Sequence, residues 1–297
     1  MVIAPRAFGQ VLGDGVSSLA RAWRALLTPA LVASVPVSIA TVAAFRITGG
    51  AEFIDIAFNH PERLQTLSSD VLWELARPFF VAVGIAAVFQ TVASVFIALV
   101  SHLAVASDLS GGRIEPRAVS RVALARFPTA LGAVLIVLAV VVVLFGIGLV
   151  VWLAPIVAVG TPNPAALLVA LLLFVVLLGP GIWMTVSASM TTAAVAIDRL
   201  GPLASILHSL RLVKGRWWPT AGYLLLVGLL GGIATQLIQL IALPLAALGD
   251  AGTAVSVASA LGIVAQGLLI AGITALYTHW YVDLRARKGM LSTDDLR

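Results

Sequence analysis

Six stretches of this chain, roughly 26–45, 78–105, 129–158, 165–188, 221–248 and 253–281, are apolar over lengths that reach or exceed a bilayer crossing. A crossing needs about 20 mainly apolar residues, and a helix is favoured there because lipid offers the backbone amides no partner. The composition agrees. Of 297 residues, 61% are hydrophobic and 10% charged, against about 25% charged in a soluble domain. A globule this apolar has too little polar surface to cover itself. The first stretch follows a long amphipathic lead and is read as a retained span rather than a signal peptide. The expectation is an all-α membrane protein with six transmembrane helices, 1–297 forming a single membrane domain.

Charge placement orients the spans. The formal net charge is +5, which in a soluble protein would point to nucleic acid. Here 15 of the 18 Lys and Arg fall in the first, third, fifth and seventh flanking segments, and the other three are Arg46, Arg63 and Arg77 in the second. Cytoplasmic loops collect cations, so both termini are expected in the cytoplasm, against anionic headgroups and without a nucleic-acid partner. The one sizeable external segment, about 46–77, carries Pro61 followed by ERLQTLSSDVLWELAR, which predicts a short amphipathic helix. The turns at TPNP (161–164) and GDAGT (249–253) are tight.

Two landmarks recur in register. RAWRALLTPALVA (21–33), RVALARFPTALGA (121–133) and KGRWWPTAGYLLL (214–226) each place cations and a large apolar residue before a proline and a new span. Pro29, Pro128 and Pro219 are spaced by 99 and 91 residues. AVASDLSGG (104–112), AVAIDRLGP (194–202) and HWYVDLRAR (279–287) each close a span on an aspartate, Asp108, Asp198 or Asp283, spaced by 90 and 85. The chain therefore reads as three helical-hairpin repeats, about 5–110, 113–200 and 201–289, each preceded by an inner-leaflet amphipathic helix, with a short cytoplasmic tail 290–297. In the lead helices, Phe8, Val11, Leu12, Val16, Leu19, Trp23 and Leu26 form one stripe and Leu203, Ile206, Leu207, Leu210, Val213 and Trp217 another. Basic amphipathic helices beside a span lie in the interface. At the third joint, Lys214 and Arg216 face cytoplasm and phosphate, and Trp217 and Trp218 mark headgroup depth. Pro219 begins the span, where a missing N–H leaves no helical bond unmade. An aromatic ligand cage is the alternative reading of that joint.

Chemistry is sparse. There are no cysteines, and His60, His102, His208 and His279 show no metal-ligand spacing. No metal or cofactor is expected. No Asp, Glu, Lys or Arg sits mid-span, which argues against an ion pump or proton relay. The polar residues left inside spans are Gln90, Ser94, Thr235, Gln236, Gln239, Gln266 and Thr274. They either hydrogen-bond between helices or line a polar cavity. Pro180 and Pro244 are expected to kink or interrupt their helices. The repeat aspartates are expected to cap the next helix or to pair with nearby cations, Arg113, Arg199 and Arg285.

GRWWPTAGYLLL (215–226), the preceding AVAIDRLGPLASILHSLRLVKG and the terminal ALYTHWYVDLRARKG (275–289) resemble the membrane-domain family found beside bacterial glycerophosphoryl diester phosphodiesterases, and related six-span bacterial proteins. The sharpest likeness lies in the last third. It implies the membrane part of such proteins and a bacterial inner-membrane location. The metal-dependent catalytic barrel has no counterpart in the matched residues, so no catalytic residue is carried over. Two function classes remain: a non-catalytic scaffold or accessory subunit acting on lipids, a membrane-protein partner or a second copy of itself, and a transporter or exporter component with a polar cavity. A membrane enzyme stands third.

Overall fold

The computed structural model describes residues 6–112, 115–159, 164–246 and 251–290. Every regular element among them is an α-helix: α1 (Phe8–Thr48), α2 (Gly50–Asn59), α3 (Pro61–Thr66), α4 (Ser69–Leu109), α5 (Pro116–Val159), α6 (Pro164–Ala188), α7 (Thr191–Asp198), α8 (Pro202–Val213), α9 (Trp217–Ala246) and α10 (Ala251–Arg287). Six of these carry stretches long and apolar enough to cross a membrane, in α1, α4, α5, α6–α7, α9 and α10. Each overlaps one of the six stretches expected above, the last two residues of the fifth lying outside the described residues. The chain is a multi-pass membrane protein.

The joints differ from one another. At the first two proline joints the lead and the span are one continuous helix, α1 running through Pro29 and Pro36 and α5 through Pro128. Only the third joint breaks, between α8 and α9. The physical difference is Gly215, whose φ of +83° lies in the left-handed region that side chains avoid. No glycine stands within the five residues before Pro29 or Pro128, so the helix continues and forfeits one backbone bond at each proline. Pro219 is the third residue of α9, inside the first turn where its missing N–H has no intrahelical acceptor.

The external segment also departs from expectation. The helix predicted after Pro61 ends at Thr66, and Ser68, extended at ψ 158°, restarts the chain as α4. Ahead of it, α2 packs on α4 through Phe53 against Phe79, ring centres 5.1 Å apart. α6 runs through Pro180 unbroken and ends instead at Ser189–Met190. Ser209 of α8 repairs that break: its hydroxyl donates to the Ser187 carbonyl at 2.7 Å and accepts from the Met190 N–H at 3.1 Å. Buried backbone freed from a helix needs such a partner. Residues 161–163 (TPN), 247–250 and Arg113 lie outside the described residues, as do the side chains of Gln239 and Pro244.

α10 occupies the centre, packed against α1, α4 and α9, and α5 pairs with α6. Small residues let the helices close. A Cβ on Gly15 would meet Leu276 Cδ2 at 2.5 Å, and one on Gly267 would overlap the Ser34 hydroxyl. The core gathers at one end, here the basal end, where α1 begins and α10 finishes. Val11, Leu99, Val105, Leu212, Tyr223, Tyr281 and Leu284 are fully buried there. Further along, the shafts of α5, α6 and α9 present Val150, Val176 and Leu225 outward, each at least 67% exposed. An apolar surface of that extent needs an apolar solvent.

Candidate functional site

The last third of α10 is polar and buried at once. Thr274, Thr278, His279, Asp283 and Arg285 are each no more than 8% exposed. Helices surround this segment, so every polar group on it needs a protein partner.

Asp108 ends α4 against the start of α1. It pairs with Arg21 at 2.8 Å and accepts the Ser18 hydroxyl at 2.8 Å. Because Ser18 donates to Asp108, its oxygen accepts from His279 Nε2 at 3.0 Å and from Arg21 at 3.0 Å. The network thus assigns the His279 proton to Nε2. The trio of Ser, His and Asp is wired against nucleophilic catalysis, since the hydroxyl proton goes to the carboxylate and the imidazole donates instead of accepting. His279 Nδ1 and Arg6 Nε are buried with no hydrogen-bond partner.

Asp198 ends α7 against α10. Arg285 donates to it at 2.5 Å, the Tyr281 hydroxyl donates to its other oxygen, and His208 Nε2 of α8 approaches to 3.3 Å without hydrogen-bond alignment. Burial pushes the His208 imidazole below its ordinary pKa. The Asp198 carboxylate opposes this, and Arg285 and Arg211 reinforce it. Asp283 is fully buried, pairs with Arg287 at 2.6 Å and accepts the Arg6 N–H at 2.8 Å. Asp108 therefore joins the end of α4 to α1, Asp198 joins the end of α7 to α10, and Asp283 joins α10 to the Arg6 amide. Gly201 holds the cap position of α8, and Asp283 lies inside α10.

Two further ties close the base. His102 of α4 meets Thr278 at 2.8 Å and Thr192 at 3.1 Å. Thr278 already donates to the Thr274 carbonyl, so His102 donates to it from Nδ1. Tyr223 of α9 stacks on Trp280 at 4.6 Å and donates to the Leu276 carbonyl at 2.9 Å, and Phe8 meets both rings edge-on.

The polar residues read as a cavity do not converge on one. Gln90 is half-buried with its Oε1 unpartnered, and the Ser94 hydroxyl bonds back to the Gln90 carbonyl at 2.6 Å. Thr235 bonds back to Gly231 at 2.9 Å. Gln236 lies on an open groove whose described lining, with Thr235, comes from α9 alone. Gln266 is exposed on α10, and Thr274 is buried in the base. At the joint, Lys214, Arg216 and Pro219 are exposed, Trp218 is 80% exposed, and Trp217 meets it edge-on at 4.8 Å. Lys288 donates to the carbonyls of Arg211 and Lys214, fastening the joint to the end of α10. The cation over a tryptophan face is Arg24, 5.2 Å from the Trp23 ring centre.

Ser18, Arg6, Tyr281, Thr192 and Ser209 were not legible as partners. Nothing in their spacing distinguishes them; only the pairing of distant helices does. Among the described residues no three His, Cys, Asp or Glu gather as a metal group. No curated protein and no solved structure matches the chain. A family model described as a domain of unknown function, DUF7847, matches residues 7–284, and the chain belongs to that family.

Proposed function

We propose that the protein is a non-catalytic scaffold or accessory subunit of a bacterial cytoplasmic membrane, acting on a partner membrane protein or on lipids, with both termini in the cytoplasm. The observation that carries this is the basal cluster: Asp108, Asp198, Asp283, His102 and His279 are engaged in joining helices of the same chain. Such a base makes a rigid support and presents no activated nucleophile. The concentration of Lys and Arg beside this end supports its cytoplasmic placement. In helix α8, Ile206, Leu212 and Val213 pack inward and Leu203 and Leu207 face out. The likeness of the last third to membrane domains that stand beside a phosphodiesterase supports a helper role, and the recurring aspartates support three repeat units.

The chain's lack of cysteine makes the topology directly testable. A Glu62→Cys variant is expected to react with a membrane-impermeant maleimide from outside, and a Lys288→Cys variant only after permeabilisation. The reverse pattern overturns the orientation. Purified protein in liposomes is expected to move no solute across a panel of ions, sugars and peptides, and transport by the protein alone overturns the scaffold reading. The transporter reading draws on the unpartnered Gln90 and the groove at Gln236. It predicts that Gln236→Leu and Gln266→Leu abolish flux in folded protein.

A further inference from the structure

Beside the basal cluster, Leu19, Trp23, Leu26 and Leu27 of α1 face Leu268 and Gly272 of α10 across a groove of about 220 Å³. Its walls carry hydrocarbon and the Trp23 ring. It is smaller than the roughly 300–1,000 Å³ that encloses a small-molecule ligand. From Leu19 to Leu27 the helix rises roughly 12 Å, so the groove begins beside the polar layer of Ser18 and Arg21 and runs along the span. A cation borders it through the Trp23 ring. Arg24 sits over the Trp23 ring at 5.2 Å. Arg21, one turn away, is matched by Asp108, whereas Arg24 has no carboxylate partner among the described residues. A single site thus offers an unmatched guanidinium, an amphipathic ring at its rim and a narrow apolar channel beyond.

We propose that this groove holds one acyl chain of an anionic glycerophospholipid, with its phosphodiester against Arg24. The proposal rests on the membrane reading above and gives the lipid-directed role a defined place. Three features select this occupant. Charge complementarity requires an anion at the mouth. The apolar walls require a hydrocarbon tail within a few ångströms of it. The narrowness excludes a helix from a second copy.

The test is native mass spectrometry of the purified full chain, titrated with phosphatidylglycerol or phosphatidylcholine of identical chains. The wild type is expected to hold one phosphatidylglycerol about fivefold more tightly, the change that one matched cation contributes at an anionic surface. Arg24→Gln, at an exposed position, is expected to erase the headgroup preference and keep chain binding. A Cβ on Gly272 meets only Leu19, at 4.0 Å, so Gly272→Leu fills the groove and is expected to lower occupancy by both lipids. Equal occupancy in all three proteins, or a preference that survives Arg24→Gln, overturns the proposal. A Gly272→Leu variant that changes oligomeric state overturns it in favour of an interface between copies. If that variant fails to fold, Arg24→Gln alone decides. Release of the wild type from membranes by alkaline wash would instead sink the membrane reading; a chain that stays embedded without lipid preference sinks only this site.

Discussion

The base of the bundle and the shafts of α5 and α6 invert the rule of soluble proteins in opposite ways. At the base, Asp283, His279 and Ser18 are buried, His279 bonded to Ser18 and Asp283 to the Arg6 N–H. On the shafts, Val142, Val143 and Leu172 are all more than half exposed. The difference teaches which partners lipid replaces. Hydrocarbon chains stand in for apolar neighbours at little loss, so shafts need few protein contacts. They offer nothing to a carboxylate or an imidazole, so polar residues at the base must find one another. Structure is specified at the base and tolerated along the shafts.

That contrast is most open to breaking at Asp198. Asp198→Ala removes a carboxylate bonded to the buried Arg285 and strips the Tyr281 hydroxyl of its acceptor. A loss of about 3–5 kcal/mol is expected, seen as a collapse in thermal unfolding temperature and in the yield of monodisperse protein. A smaller effect compares two glycines. Gly15→Val drives a side chain into Leu276 at the base and should cost about 1–3 kcal/mol. Gly146→Val on α5 meets nothing within 4 Å and should stay within about 0.5 kcal/mol. Equal losses at the two positions would erase the distinction between base and shaft. The smallest effect concerns pH. Burial depresses the His208 pKa, so the unfolded chain takes up this proton first as pH falls. The stability contributed is complete above the ordinary histidine pKa of about 6.5 and is lost as pH falls below it. Unfolding temperatures measured from pH 8 to pH 5 should therefore drop less in His208→Gln than in the wild type.

The spans were legible because hydropathy over some 20 residues is a strong local signal. The joints were legible in part. Trp217, Trp218 and Pro219 open α9 as their chemistry requires, but Pro29 and Pro128 resemble Pro219 in sequence and sit inside unbroken helices. Gly215 is the residue that separates the cases. Asp108, Asp198 and Asp283 drew notice through their spacing, yet their partners did not. Ser18 and Asp108 lie 90 residues apart, and Arg6 and Asp283 lie 277 apart. No periodicity encodes such pairs; they exist only once α10 is seated between α1, α4 and α9. The glutamines failed as a cavity for the same reason, since Gln236 and Gln266 are polar but point out of the bundle.

The central claim is that polar pairs at the base, joining distant helices, hold this bundle. A double-mutant cycle on Asp198→Asn and Arg285→Met, read by thermal unfolding in lipid nanodiscs, tests it directly. The account predicts strong coupling, with the double variant losing less than the two single losses combined by more than about 1 kcal/mol. Losses that add to within about 0.3–0.5 kcal/mol would contradict it.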